Sequence, residues 1–346
     1  MVGRNSLTHE KEITSEVLEC LEDGTLNPEA VGFSRHPHHR CNLKGSWGRK
    51  KRWDYWCVTS REGALSITYA DIDYIGLATV SFLDFETKEF TEKVAIVPLA
   101  RGFSQPETVA GSDVVFNGSG LHFGIHEEKE RARVVVSFKK LGGPHVEAEL
   151  EVDRPATHET LNVLVPWSDT RFQFTSKQNT LPTRGHVTVG KRRYEFNAAN
   201  DSFATLDFGR GKWPRKTTWN WGSASGHSGM DVIGLQFGGK WTDGTGVTES
   251  GLVINGKLSK IGEAIEWTYN TRDYREPWLL KTRESRALDL VFDPFYERTM
   301  KLPLGSWGAE VHQCFGRYSG RITDEEGQEY EIEDIIGWAE EMRASW

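Results

Sequence analysis

This sequence predicts an all-β protein, built from two consecutive antiparallel barrels or half-barrels and ending in a short C-terminal helix. Three observations carry that expectation. Apolar residues alternate with period two through most of the chain, and turn dipeptides interrupt the alternation roughly every ten residues. Repeated alternation of helix and strand patterns is absent, which disfavours parallel α/β architectures.

Taken in order, Ala64 to Ala70 puts Leu65, Ile67 and Tyr69 on one face of a strand. Leu77 to Leu83, Val94 to Val97, Val114 to Phe116 and Arg131 to Phe138 read the same way. So do Ser202 to Phe208, Asp231 to Phe237, Leu252 to Ile254, Ala287 to Phe292 and Cys314 to Ile322. Asn117-Gly118, Gly142-Gly143-Pro144, Asp243-Gly244 and Asn255-Gly256 supply turns. The helical expectation rests on Ile332, Ile335, Ile336, Ala339 and Met342, which fit a stripe of 3.6-residue period.

A chain of 346 residues buries a sizeable core without staples and suits two domains or one large β unit. Arg154-Pro155-Ala156 and the polar stretch Ser176 to Arg184 are the linker candidates. The division adopted is 1–180 and 181–346, each about the size of an eight-stranded barrel. The tetrapeptide Gly-Ser-Trp-Gly occurs at Gly45 to Gly48 and at Gly305 to Gly308, with no regular short repeat around it.

Composition narrows the function. The net charge of −8 argues against nucleic acid as the main partner, because phosphate binding needs a basic surface. The four cysteines (Cys20, Cys41, Cys57 and Cys314) form no C-x-x-C pair and read as reduced thiols. Met1 to Leu21 lacks the apolar core of a secretory signal, and no run approaches the ~18 apolar residues of a membrane span. A cytoplasmic protein is the expectation.

Thirteen tryptophans stand out, and the densest patch runs from Gly209-Arg210-Gly211-Lys212-Trp213-Pro214 to Trp219-Asn220-Trp221-Gly222-Ser223. Trp219 and Trp221 share a strand face with Thr217, while Thr218 and Asn220 fall on the other. In a barrel wide enough for a ligand, such rings line a cavity and Arg210 supplies a fixed charge at its mouth. Arg210, Trp213, Trp219, Asn220 and Trp221 are therefore the ligand-binding candidates. Asp231 is in phase with Ile233, Leu235 and Phe237, and Glu249 with Val247, Gly251 and Val253. A carboxylate on an apolar face has a raised pKa and suits general acid work, so these two are the proton-transfer candidates.

Other groupings carry less. His36, His38, His39 and Cys41 include metal-ligand types but lack a completing element, and His122 and His126 sit in a strand pattern; no metal is expected. Arg49-Lys50-Lys51-Arg52, between Trp47, Trp53 and Trp56, reads as a site for an anionic head group or as a solvated lead-in to a strand. Motifs for a serine-hydrolase elbow, a P-loop or a dinucleotide fold are missing from the sequence.

Arg35-His36-Pro37 to Trp56, Ala70-Asp71-Ile72-Asp73-Tyr74, Gly209 to Gly226, and Phe315-Gly316-Arg317-Tyr318-Ser319-Gly320 through Gly337-Trp338-Ala339-Glu340 to Trp346 together resemble domain-of-unknown-function family 2804 (DUF2804). More distantly, Trp213, Trp219 and Gly229-Met230-Asp231 before Ile233-Gly234-Leu235-Gln236-Phe237 resemble the central motif of the AttH and carotenoid-hydratase superfamily. That resemblance implies two consecutive lipocalin-like (calycin) barrels and chemistry on apolar molecules. The superfamily motif carries an acid between its tryptophans. Here the interval Pro214-Arg215-Lys216-Thr217-Thr218 has none, which moves the proton chemistry to Asp231 and Glu249.

The expected function is binding and cofactor-independent transformation of a small hydrophobic or amphipathic molecule, of hydratase, isomerase or cyclase type. The alternatives are a carbohydrate hydrolase or lyase with paired carboxylates, and a non-catalytic carrier. The oligomeric state is left open.

Overall fold

The computed structural model of the chain describes residues 8–304 and 307–346. Part of the second Gly-Ser-Trp-Gly and the first seven residues lie outside the described residues. Regular structure is nearly all strand. Helix amounts to 2%, in the single-turn segments Pro28–Ala30 and Ala198–Asn200.

Among the described residues, 13 strands form one sheet and 9 form another. The first is a nearly closed barrel and the second a half-barrel. Through the barrel, Phe90–Pro98, Ile75–Asp84, Gly63–Asp71, Lys50–Thr59, Phe203–Lys212, Arg171–Val189 and His145–Asp153 follow one another as antiparallel neighbours. Arg131–Lys139, Leu121–Glu128 and Val114–Gly118 complete that path. In the half-barrel the central neighbours are Asp231–Gly239, Lys216–Ser228, Glu329–Ser345, Trp307–Thr323 and Leu288–Leu304. The hairpin between Gly251–Ile254 and Lys257–Lys260 turns on Asn255 and Gly256, both at positive φ (50° and 79°), as its Asn-Gly dipeptide predicts.

Alternation determines what each sheet holds. Leu65, Ile67 and Tyr69 point into the barrel, where they meet Phe123, Val134, Phe172, Phe174, Leu206 and Phe208. The half-barrel has its own core around Leu235, Phe237, Trp278, Phe292 and Tyr318. The opposite faces of both sheets are also buried, because they pack on each other through Tyr55, Trp221, Phe315 and Trp338.

Two expectations are corrected. The C-terminal helix is the strand Glu329–Ser345. Its pairing with Trp307–Thr323 slips between Tyr318 and Gly320, opposite Ile335 and Ile332, and Asp334 takes φ +54°. That bulge spaces two inward residues, Ile332 and Ile335, three apart. Beyond it both strand faces are covered, so apolar residues recur without period two. The result imitates a helical stripe.

The second correction concerns Ser176 to Arg184, which is the middle of the continuous strand Arg171–Val189 rather than a linker. It is polar because Lys177, Gln178, Asn179 and Thr180 are buried in hydrogen-bonded surroundings between the two sheets. A division at 180/181 cuts this strand. The change of sheet falls at 213–215, between Phe203–Lys212 and Lys216–Ser228. Arg154-Pro155-Ala156, the other linker candidate, joins two strands of the first sheet.

Candidate functional site

A cavity of about 310 Å³ lies between the two sheets, and it is not the lumen of either barrel. Its walls from the first sheet include Trp53, Tyr55, Ala70, Ile75 and Leu77, and from the second Trp219, Trp221, Val311 and Met342. Trp213, in the crossing between the sheets, packs against Trp53, Trp167, Trp219, Trp241 and Trp346 with ring centroids 4.7–5.7 Å apart. The tryptophan cluster read in the sequence thus ties the sheets together, and Trp213, Trp219 and Trp221 all line the cavity.

Strand phase decides which neighbours join them. On Phe203–Lys212 the odd positions face the cavity, and Gly209 and Gly211 leave room there. A Cβ on Gly209 would fall 2.2 Å from the Trp53 ring, and one on Gly211 would fall 2.2 Å from Gln173 Oε1. The glycines admit side chains from neighbouring strands, so the close approach is intramolecular.

Arg210 is in phase with Leu206 and Phe208 and enters the barrel instead. Its guanidinium donates to both oxygens of Asp54 (3.0 and 3.1 Å) and to the Trp53 and Pro106 carbonyls. It is not at the mouth of the tryptophan cavity. Asn220 also faces away, donating to Tyr269 Oη and the Glu340 carbonyl. Asp231 sits half-buried next to the exposed hairpin tip at Met230, accepts a hydrogen bond from Asn255 Nδ2 (2.7 Å) and does not line the cavity. Its phase with the apolar positions is real, but it is the first residue of its strand, where that face has already reached the surface.

Glu249 is buried and lines the cavity. Its carboxylate accepts from Trp241 Nε1 (2.8 Å) and lies 3.0 Å from Lys177 Nζ. The same ammonium is 2.9 Å from Asp207, which also accepts from Thr175 Oγ1 and Trp53 Nε1. The ammonium lies 4.1 Å from the centre of the Trp221 ring, so one buried cation joins strands of both sheets. Burial alone would discharge Lys177, but Asp207 and Glu249 outweigh it and hold the amine protonated above its ordinary range.

Glu340 completes the polar side. It accepts from Trp219 Nε1 (3.0 Å) and Gln313 Nε2 (3.1 Å). Burial pushes its pKa up to about 7; Trp219 and Lys177 oppose this only in part, and Asp207 adds to it. Glu249 is raised as well, by burial first and by Asp207. Lys177 is shared between Asp207 and Glu249, and Arg298, the other cation on the cavity wall, pairs with Glu92, so Glu340 has no ion-pair partner of its own and can hold a proton near neutral pH. The adjacent Glu341 points to the other face, where Lys240 Nζ (2.6 Å) and Tyr274 Oη (3.0 Å) donate to it. Burial raises its pKa too, but donors from Lys240 and Tyr269 more than reverse this, to about 2.

Sequence reasoning missed Gln173, Lys177, Asp207 and Glu340. Asp207 was readable, since it alternates with Leu206 and Phe208 inside a recognised strand. Lys177 was hidden by the linker reading and Glu340 by the helical one, while Gln173 lies just before the linker candidate in a stretch given no assignment. Of the remaining candidates, His39 is buried against Phe174 with Nε2 on the Ala30 carbonyl. No group of three or more metal-ligand side chains occurs among the described residues. Lys51 of the basic cluster is buried on the Gly48 and Ile72 carbonyls, while Arg52 pairs with Asp71 and Lys50 with Asp73. All four cysteines are free and buried. Among the described residues no helix is long and apolar enough to cross a membrane.

A nearly closed β-barrel followed by a half-barrel, packed face to face over a tryptophan-lined cavity, defines a two-domain lipocalin-like β protein. The chain belongs to the family described as "Domain of unknown function (DUF2804)", whose model matches residues 10–346. Among solved structures it is similar to an AttH-like protein from Nitrosomonas europaea, at 10% identity and TM-score 0.50, covering 85% of this chain and 92% of that one. It is also similar to kievitone hydratase from Nectria haematococca, at 14% identity and TM-score 0.49, covering 86% and 89%. No curated protein matches the sequence. The likeness to the Nitrosomonas europaea protein shows a shared fold.

Proposed function

We propose that this protein binds a small apolar molecule between its two sheets and transforms it by proton transfer, with Glu340 as the proton donor. The observation that carries the reading is a carboxyl group with pKa near 7 on the wall of an otherwise aromatic and aliphatic cavity. A general acid works best when its pKa lies close to the working pH.

The surrounding groups suit hydration of a carbon–carbon double bond, its reversal, or double-bond isomerisation. Glu340 gives its proton to one alkene carbon, and positive charge develops on the next. The excess negative charge of the Lys177–Asp207–Glu249 cluster and the ring faces of Trp213 and Trp219 stabilise that charge. Water then bonds to the cationic carbon and returns a proton to the Glu340 carboxylate, which leaves the enzyme unchanged. Isomerisation replaces the water step by loss of a neighbouring C–H proton to the same carboxylate.

A sugar substrate suits the cavity less well. The indole N–H groups of Trp53, Trp213, Trp219, Trp221 and Trp241 are all donated to protein acceptors. The rings therefore present carbon faces, with few free polar groups for a ligand rich in hydroxyls.

The test is to incubate the protein with a panel of apolar alkenes in deuterated or heavy-oxygen water and read isotope incorporation by mass spectrometry. Wild-type protein is expected to incorporate label into at least one compound that quenches its tryptophan fluorescence. Glu340→Gln is expected to bind the same compound without incorporation. Wild-type binding with no incorporation across the panel would leave a carrier, and incorporation by Glu340→Gln at the wild-type rate would remove Glu340 from the role.

A further inference from the structure

The side chain of Gln173 is fully buried, lines the cavity and is only half satisfied. Its Oε1 accepts from Trp213 Nε1 at 2.6 Å. An indole N–H can only donate, so the amide has one permitted orientation, with its oxygen toward Trp213. The Nε2 group, carrying two donors, then has no acceptor among the described residues. Leaving such a group dry and unpaired is costly, and native proteins rarely tolerate it without a reason.

The rest of the site holds this amide in position. Gly211 lies opposite Gln173 in the strand register, and its missing side chain is what lets the amide oxygen lie against the neighbouring strand. A second donor behaves likewise: Trp346 lines the same cavity, and its Nε1 is buried without an acceptor among the described residues. The indole donors of the cavity's other five tryptophans all have acceptors, so these two open donors are exceptions to a consistent pattern.

We infer that Gln173 Nε2, with Trp346 Nε1, is the recognition point for a neutral carbonyl oxygen, and that the ligand class is an apolar ketone, aldehyde or ester. The inference rests on the apolar-ligand reading above and adds the polar group by which that ligand is oriented. An acceptor is required because both open groups donate. It is neutral because the two cations on the wall are already paired, Lys177 with Asp207 and Glu249 and Arg298 with Glu92, so a carboxylate head would meet no unshared positive charge there.

The experiment compares three probes of nearly the same shape by titration of full-length protein: an acetylnaphthalene, the matching ethylnaphthalene and the matching naphthoate. The acetyl compound is expected to bind about tenfold more tightly than the ethyl compound, the effect of roughly one well-formed hydrogen bond, with naphthoate the weakest. Infrared spectroscopy of the bound acetyl compound should show its carbonyl stretch moved to lower frequency. The double variant Gln173→Met/Trp213→Phe removes the amide and its indole partner together, so no buried donor is newly orphaned. In that variant the acetyl/ethyl ratio should fall toward one and the carbonyl shift should shrink; because Trp213 is also a wall of the cavity, the ratio rather than the ethylnaphthalene affinity is the readout. Equal binding of the acetyl and ethyl compounds by wild-type protein overturns this inference and leaves the apolar cavity standing. Binding of none of the three overturns the cavity reading itself.

Discussion

Trp219 donates its indole N–H to the Glu340 carboxylate at 3.0 Å across two adjacent strands of the half-barrel. The contact supplies one hydrogen bond to a carboxylate that burial would otherwise keep neutral. Its neighbour Glu341, one residue on and facing the other way, has two tyrosines and a lysine for the same task. Two consecutive glutamates therefore titrate far apart, near 7 and near 2, because a strand sends successive side chains into different surroundings.

This separation has a measurable consequence for stability. The folded pKa of Glu340 is about 7 against an ordinary 4.5, so the native state holds a proton that the unfolded chain releases. The resulting stabilisation is complete below about pH 4.5 and is lost as pH rises through about 7. It amounts to at most on the order of 3 kcal/mol. Glu19 and Glu249 are also raised and slope the same way, so the informative quantity is the difference from Glu340→Gln. Urea unfolding of both proteins across this range should give curves that converge or cross with rising pH. Parallel curves would show that Glu340 does not titrate there.

Lys177 holds Asp207 and Glu249 together in a buried site. Lys177→Met should cost about 3–5 kcal/mol, the usual penalty for leaving buried charge without its partner. Neutralising the acids as well, in Lys177→Met/Asp207→Asn/Glu249→Gln, should recover most of the loss. Denaturant unfolding of the two variants decides it. A triple variant no more stable than the single one would mean that Lys177 acts through packing on Trp221 rather than through charge.

The strands themselves were legible because each barrel face needs apolar residues at every second position, and Leu65, Ile67 and Tyr69 follow that rule. Legibility ended where a strand is buried on both faces. Ile335 to Met342 and Gln173 to Thr180 pack against a core on one side and the opposite sheet on the other, so alternation disappears there. The helical stripe and the linker candidate from Ser176 covered most of both segments, and both supply polar groups to the cavity, Glu340 from one and Gln173, Thr175 and Lys177 from the other. Glu249 was found because its phase persists into Gly251 and Val253. Arg210 was assigned to the tryptophans on sequence proximity, although its phase with Leu206 and Phe208 already put it on the other face.

Asp231 provides a control. It closes a surface hairpin opposite Ser228 and meets Asn255, away from the cavity. Asp231→Asn should leave ligand binding and isotope incorporation at wild-type levels and shift stability by no more than about 0.5 kcal/mol. Loss of turnover in this variant with the fold intact would return Asp231 to the mechanism at the expense of Glu340.

Gly209 sets the shape of the cavity without contributing a side chain to it. A methyl group there would collide with the Trp53 ring at 2.2 Å, and the ring cannot simply tilt away, because its Nε1 donates to Asp207 at 3.1 Å and its face packs on Trp213. Gly209→Ala should therefore displace Trp53, strip Asp207 of one donor and push the ring into the space a ligand would use. The expected cost is about 1–3 kcal/mol of stability, typical of overpacking, together with a change in tryptophan emission and loss of probe binding. Combining it with Trp53→Leu, which empties the contested volume, should restore much of the stability while leaving the cavity wider and less selective for flat ligands. If Gly209→Ala alone keeps wild-type emission and affinity, the bare backbone at that position is not what admits the Trp53 ring.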